Sequence, residues 1–410
     1  LGRLADRISA IFVPVVILIA LLTAVFWLWL APAPAWPYAI VAALTVLIVA
    51  CPCALGLATP MSVMVGVGRA AEQGVLIRNG EALQQAQSIT TLVLDKTGTL
   101  TEGKPQVVGL HCEGDETALL RLAASVEQHS EHPLAQAVVE YARDKAITLT
   151  DTQSFEAAAG SGVQAEVEGN SILLGNQLWM QEQGVDTTEL EPHAERFSEA
   201  GRSLIWMAVD KQPVMLLAVA DPLREDSAEA VAQFHRQGLE VVMLSGDNER
   251  TANAIAKQAG IDRVIAEVKP EQKQQVIKNL QAEGKIVAMV GDGINDAPAL
   301  AQANIGYAMG SGTDVAISSA DVTLMRSSLT SVVDAIAISR ATVRNIKQNL
   351  FGAFIYNSLA IPVAAGVLYP LLGLLLNPAI AGAAMALSSV TVVTNARRLK
   401  NIALTCHRSS

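Results

Sequence analysis

Asp95 closes an apolar, β-branched run, "ITTLVLD", and opens the polar stretch Asp95-Lys96-Thr97-Gly98-Thr99-Leu100-Thr101. A carboxylate on a rigid strand end can attack a phosphoryl group and form an acyl phosphate, dividing one difficult transfer into two easier ones. That attack needs its like charge neutralised. Later segments offer the means: Asp292 in "GDGINDAP" to share Mg²⁺ with Asp95, Lys273 to screen the phosphoryl oxygens, and Ser245 with the Gly246 amide to donate hydrogen bonds. Singly, an Asp at a strand end is more often a turn former and a lone Lys is more often solvated. In chain order and at strand ends, the set specifies one site.

A second constellation consists of soft ligands. Cys51 and Cys53 flank Pro52 in "IVACPCALG". In an unbroken helix, residues two apart point to nearly opposite sides. Pro52 removes an N–H and clashes with the carbonyl of Ile48, so the helix unwinds locally and both sulfurs can turn inward. Thiolates favour Cu⁺, with Zn²⁺ and its relatives also open. The plainer alternative is two small residues packed around an incidental kink. Tyr356 and Asn357 lie in a later apolar segment, and Met385, Ser388 and Ser389 fall on one helical face at spacings of three and four. Neutral thioether and hydroxyl ligands suit a monovalent soft ion, although for either group alone helix packing is an equally good account.

These residues need two kinds of scaffold. No Asp, Glu, Lys or Arg occurs between Arg7 and Arg69 or between Lys347 and Arg397. Each gap accommodates two spanning helices of roughly 20 residues and a turn. The turns, Ala31 to Pro37 and Tyr369 to Pro378, carry no charge, while Arg3, Arg7, Arg69, Lys347, Arg397, Arg398 and Lys400 flank the opposite ends. The positive-inside rule then places both turns outside and everything between Arg69 and Lys347 in the cytoplasm. A secretory leader is excluded by the length of the first block and its continuation into a second apolar segment. The net charge of -10 arises almost wholly from the middle region, and no basic stripe points to nucleic acid. Four cysteines give no disulfide framework, and Cys112 and Cys406 read as structurally neutral.

Between the apolar blocks, short β-branched runs alternate with helical patterns from Gln84 to Leu110 and from Ala218 to Ala335, as in a parallel α/β sheet. Open sheets of this kind bind ligands at the carboxyl ends of their strands, where Asp95, Ser245, Lys273 and Asp292 cluster. From about Gln106 to Val219 the texture changes to short strands and glycine pairs, consistent with an inserted domain. The expected layout is therefore two membrane helices with the Cys-Pro-Cys motif at 8–68, an α/β domain at 84–110 and 218–345, an inserted α+β domain at 111–217, and two further membrane helices at 349–396.

On "DKTGTLT" and "GDGINDAP" together, the chain resembles the P-type ATPases, and the match runs over essentially all of its length. The resemblance implies a haloacid-dehalogenase-like phosphorylation domain, an inserted nucleotide-binding domain, ATP and Mg²⁺ as cofactors, and Asp95 as the phosphorylated residue. It extends the catalytic set to Lys96, Thr97, Asp247, Asn295 and Asp296, with Asp95, Thr97 and Asp292 around Mg²⁺. Soluble phosphatases of this fold carry a second Asp where this chain has Thr97, so water attacks the acyl phosphate slowly. Ser245 stands where the family usually has Thr, and the hydroxyl survives.

No Walker-type loop is present. The resemblance assigns nucleotide contacts instead to Glu127, to His132 in "SEHPL", to Gly160, Gly162, Gly175 and Asn176, and to Asp221 and Arg224 near the hinge between domains. Without it, a His before a Pro is more often a loop residue. Cys51, Cys53, Tyr356, Asn357, Met385 and Ser388 together resemble the copper(I)-exporting branch, with Ag⁺ as a surrogate. Zinc, cadmium and lead exporters usually carry a Lys and an Asp in the last two of these helices, and this chain has neither. The implied protein is an integral protein of a bacterial inner membrane with cytoplasmic catalytic domains, in contact with the lipid bilayer, with room for a copper chaperone as partner. Leu1 corresponds to a point just after the family's actuator domain, so the chain reads as a fragment. A divalent-metal pump and a non-pumping metal-binding remnant stay open as alternatives.

Overall fold

The computed structural model describes residues 2–51, 53–130, 132–158, 161–199, 201–247, 249–402 and 404. Leu1, Pro52, Gly160 and Cys406, all named above, and Glu131 of the quoted "SEHPL" lie outside them. The chain divides into two compact units, Ile89–Thr330 and Leu1–Ser88 with Ser331–Ser410.

Within Ile89–Thr330, the first layer is a parallel sheet in the order Val322–Leu324, Ile305–Met309, Val287–Gly291, Thr91–Asp95, Glu240–Leu244, Arg263–Ile265. Its central strands are fully buried, which is why they read as continuous apolar runs without alternation. Helices Pro270–Ala282 and Ala297–Gln302 cover the sheet through Ile277, Leu280, Ala299 and Leu300. Because the strands are parallel, their carboxyl ends share one edge: Asp95 lies opposite Leu244, the residue before Ser245, and Asp292 directly follows Gly291.

The second layer is an antiparallel sheet in the order Gln106–Cys112, Gln212–Ala220, Ser203–Val209, Asn170–Gly175, Gly162–Val167, Gln153–Ala158. Helices Glu116–Glu127 and Pro133–Asp144 pack on it through Leu120, Val126, Val138 and Ala142. The entering and leaving strands pair with each other, Gln106 opposite Ala220. The inserted sheet therefore extends beyond the expected 111–217 at both ends, because those strands belong by hydrogen bonding to the insertion.

The other unit is helical. Ala10–Leu30, Trp36–Glu72 and Pro378–Asn401 are, among the described residues, the stretches long and apolar enough to cross a membrane. The second is two helices, Trp36–Val49 and Cys53–Glu72, so the unwinding expected at the cysteines is a complete break. Ala50 ends the first helix, and the Cys51 N–H donates to the Ile48 carbonyl at 3.2 Å. One continuous helix, Thr330–Ala364, runs through residues 345–349, where the α/β domain was expected to end and the membrane segment to begin.

Polar side chains tie this bundle together. The Asn349 amide nitrogen donates to Ser62 Oγ at 3.2 Å and to Asn345 Oδ1 at 3.1 Å, and Asn395 donates to Asn349 Oδ1 at 2.9 Å. Asn345 in turn donates to the Asn395 carbonyl at 2.9 Å. Three helices are thus joined by neutral groups that satisfy one another, the arrangement a low-dielectric surrounding favours.

Candidate active site

The strand Thr91–Asp95 delivers its last side chain into a buried cluster. Asp95 is only 5% exposed, and its Oδ1 accepts a hydrogen bond from Lys273 Nζ at 2.6 Å. Lys273, one turn into the helix Pro270–Ala282, also reaches Asp296 Oδ1 at 2.7 Å. Asp95, Asp292 and Asp296 each offer an oxygen, and these atoms all lie within 4.8 Å of one another. One lysine thus faces three carboxyl groups.

The electrostatics follow. Burial first, then the neighbouring Asp296, lifts the Asp95 carboxyl to about 7, while Lys273 pulls it down. Burial and Asp296 likewise lift Asp292 to about 6, against Arg224 and Lys273. For Lys273 burial works downward, but Asp95 and Asp296 outweigh it and its pKa is raised. Excess negative charge among hard oxygen ligands fits a divalent cation such as Mg²⁺, and Asp95 and Asp292 are the pair that would hold it, with Asp296 beside them. Bound there, the ion would neutralise charge on a transferring phosphoryl group.

The backbone around the cluster is equally specific. Gly98 has φ +71°, and a Cβ on it would lie 1.8 Å from Asp292 Oδ2, so a side chain is excluded for two reasons. Arg224 clamps the same loop, donating to the Gly98 carbonyl at 2.6 Å and the Thr99 carbonyl at 3.1 Å. Asp221 accepts from the Thr101 hydroxyl at 2.5 Å and from the amides of Gly103 and Lys104 at 3.0 and 3.2 Å. Lys96 pairs with Asp247 at 2.6 Å, and Ser245 Oγ accepts from the Asp247 amide at 3.1 Å, which leaves its O–H to donate. Thr97, Gly246 and Asn295 are exposed at this edge of the sheet.

A separate pocket of about 310 Å³ lies in the antiparallel-sheet domain, at the small end of the range for ligand sites. Glu127, His132, Gly162, Gly175 and Asn176 all line it, together with Ser130 and Ser161. Glu127 is buried, and that burial lifts its carboxyl to about 7. His132 caps the helix Pro133–Asp144, its Nδ1 accepting from the Leu134 amide at 3.2 Å. Asn176 likewise caps Gln177–Glu182 through the Trp179 amide. Gly162 and Gly175 are required by packing as well: a Cβ on either would press on Trp179. Asp221 and Arg224 do not line this pocket. They serve the loop that follows Asp95, a placement visible only once the two segments meet.

In the helical unit, the structure joins Cys51 and Cys53 by a disulfide, where a thiol pair was expected. The break between the helices brings both residues round to one side, with Cα atoms 5.5 Å apart. Met385 is buried in the same cluster as Val49 and Ala50. Asn357 is 4% exposed, and its Oδ1 has no hydrogen-bond partner among the described residues. Tyr356 and Ser388 instead line a groove that contains neither Asn357 nor Met385; Tyr356 is turned about 100° from its neighbour Asn357 on the helix. The six residues grouped above therefore divide between two faces.

A haloacid dehalogenase-like hydrolase family model matches residues 89–304, more than half of the chain. A copper-exporting P-type ATPase of Vibrio cholerae is 54% identical over 98% of this chain and 44% of its own length. A silver exporting P-type ATPase of Salmonella typhimurium is 50% identical over 98% of this chain and 49% of its own. The chain belongs to the haloacid dehalogenase-like hydrolase family. A crystal structure of a zinc-transporting PIB-type ATPase in the E2.Pi state superposes with a TM-score of 0.83 at 36% identity, over 96% of this chain and 63% of that one. The chain spans about half the length of the curated P-type ATPases it matches. Two features of this family member escaped the sequence reading. Gly98 carried no expected role, and the asparagine network gave no signal, since isolated Asn residues in or beside apolar runs carry no spacing rule.

Proposed function

We propose that this chain is the catalytic and ion-binding portion of an ATP-driven copper(I) exporter. The observation that carries the reading is the buried Asp95 carboxylate, 2.6 Å from Lys273 Nζ at the carboxyl edge of a parallel sheet. A carboxylate oxygen of Asp95 attacks the γ-phosphorus of ATP, the bond to the β,γ-bridging oxygen breaks, and ADP leaves with that electron pair. Lys273 and the Ser245 hydroxyl stabilise the phosphoryl oxygens, and Arg224 holds the loop so that Asp95 keeps its direction. The pocket at Glu127 and His132 receives the adenine. Thr97, in place of a second general base, leaves the acyl phosphate long-lived.

Support for copper(I) comes from the paired sulfurs, which follow Val49 and Ala50 of the cluster that buries Met385, and from the orphaned Asn357 oxygen. In the reduced state, the cysteines supply soft thiolates to the ion as substrate. Relatives named as copper and silver exporters favour the same choice.

The test is phosphorylation of the membrane-reconstituted chain with radiolabelled ATP and Mg²⁺ under reducing conditions, with Cu⁺, Zn²⁺ or chelator, beside Asp95→Asn and Cys51→Ala. Acid-stable, hydroxylamine-sensitive label that needs Cu⁺, Asp95 and Cys51 is expected. Label that appears with Zn²⁺ and not with Cu⁺, or that survives Asp95→Asn, defeats the reading.

A further inference from the structure

Two cavities meet between the middle of the helix Thr330–Ala364 and the C-terminal half of Pro378–Arg397. The smaller, about 190 Å³, is lined by Arg344, Asn345, Gln348, Asn395 and Arg398. The larger, about 580 Å³, continues from it between the same helices past Gly352, Ala353, Leu387 and Val390. Gln348, Asn395 and Arg398 belong to both, so the cavities form one groove with a cationic head and an apolar tail. Among the described residues, neither Arg344 nor Arg398 forms an ion pair with a carboxylate. The tail is open: a Cβ on Gly352 would meet nothing within 4 Å.

From this geometry we infer a binding site for one anionic phospholipid, its phosphodiester between Arg344 and Arg398 and an acyl chain in the groove over Gly352. Guanidinium forks match phosphate oxygens, and Arg398 lies near the end of the candidate membrane span Pro378–Asn401, where basic side chains meet lipid headgroups. The amide of Gln348 adds donors for the remaining phosphate or glycerol oxygens. A free phosphate would use only the head. The tail is what selects a lipid.

The site is distinct from the proposed ion path, which rests on the buried Asn357 and Met385, although Tyr356 and Ser388 line the groove wall. It predicts that lipid charge bears on the stability of the pair of helices without touching the phosphorylation chemistry.

The experiment is native mass spectrometry of the detergent-purified chain with phosphatidylglycerol or phosphatidylcholine, with and without inorganic phosphate. The expected result is retention of one phosphatidylglycerol in preference to phosphatidylcholine, with a loss of about fivefold in each of Arg344→Gln and Arg398→Gln. Gly352→Leu, a substitution that favours helix and fills the tail, is expected to weaken retention with both arginines intact. Circular dichroism of each variant checks that the helices persist. Equal retention of the two lipids, or retention unchanged in the double arginine variant, overturns the proposal. So does displacement by millimolar phosphate with no effect of Gly352→Leu, which identifies a free-anion site.

Discussion

The carboxylates around Asp95 and the amides around Asn349 are both buried polar clusters, yet they differ in how completely they are satisfied. Around Asn349, donors and acceptors are neutral and close on themselves across three helices. Around Asp95, three carboxyl groups share one lysine, and two of them are pushed well above the usual carboxylate range. A satisfied network fixes a structure. An electrostatically incomplete one is what the proposed binding of a cation and a phosphoryl group would complete, and the buried sheet beneath it holds that imbalance.

The contrast is sharpest at Lys273. Lys273→Met removes the charge shared by Asp95 and Asp296, and is expected to slow phosphoenzyme formation by roughly 10²–10³-fold. It should also cost about 3–5 kcal/mol of stability, since it leaves buried carboxylates uncompensated. Rapid-quench labelling and thermal unfolding read the two effects. A variant that phosphorylates normally breaks the comparison.

Glu127 extends the contrast to the pocket in the antiparallel-sheet domain. Its folded pKa is raised from 4.5 to about 7, so the folded state binds the proton more tightly than the unfolded one. Stability is therefore fullest below about pH 4.5 and is lost as pH rises through 7. Glu127→Gln cannot ionise, and at pH 8 it is expected to gain up to ~3 kcal/mol over the parent, with little difference at pH 4. Unfolding followed across pH checks this, and a gain independent of pH refutes it.

The smallest effect is expected in the satisfied network. Asn349→Leu leaves Ser62, Asn345 and Asn395 each short of a partner, at a cost of about 1–2 kcal/mol. Phosphorylation at Asp95 should be unaffected. Thermal unfolding in detergent alongside labelling separates the two readouts, and loss of labelling without loss of stability would give the amides a role in the reaction.

Legibility differed in the same way. Asp95 and Asp292 were readable because parallel strands must present their carboxyl ends on one edge and each follows a recognisable apolar run; Lys273, expected at a strand end, reaches the same edge from the helix Pro270–Ala282. Glu127, His132 and Gly162 needed the family resemblance, because nothing in their spacing tells that two helices and a sheet enclose one pocket. Arg224 and Asp221 were placed with the nucleotide, whereas hydrogen bonds put them on the loop after Asp95. Tyr356 and Ser388 were grouped with Met385, but they line a groove that does not contain it.

What the sequence by itself determined is the chemistry available: a carboxylate after a buried strand, a hydroxyl at a neighbouring strand end, a lysine further along the chain, and two sulfurs across a helix break. Local pattern suffices for that, because strand burial and proline act within a few residues. Only the tertiary structure decided which carboxyl groups share Lys273, why Gly98 tolerates no side chain, and which helix faces meet. Those depend on approach between segments distant in the chain, where a displacement of an ångström decides between a hydrogen bond and a clash.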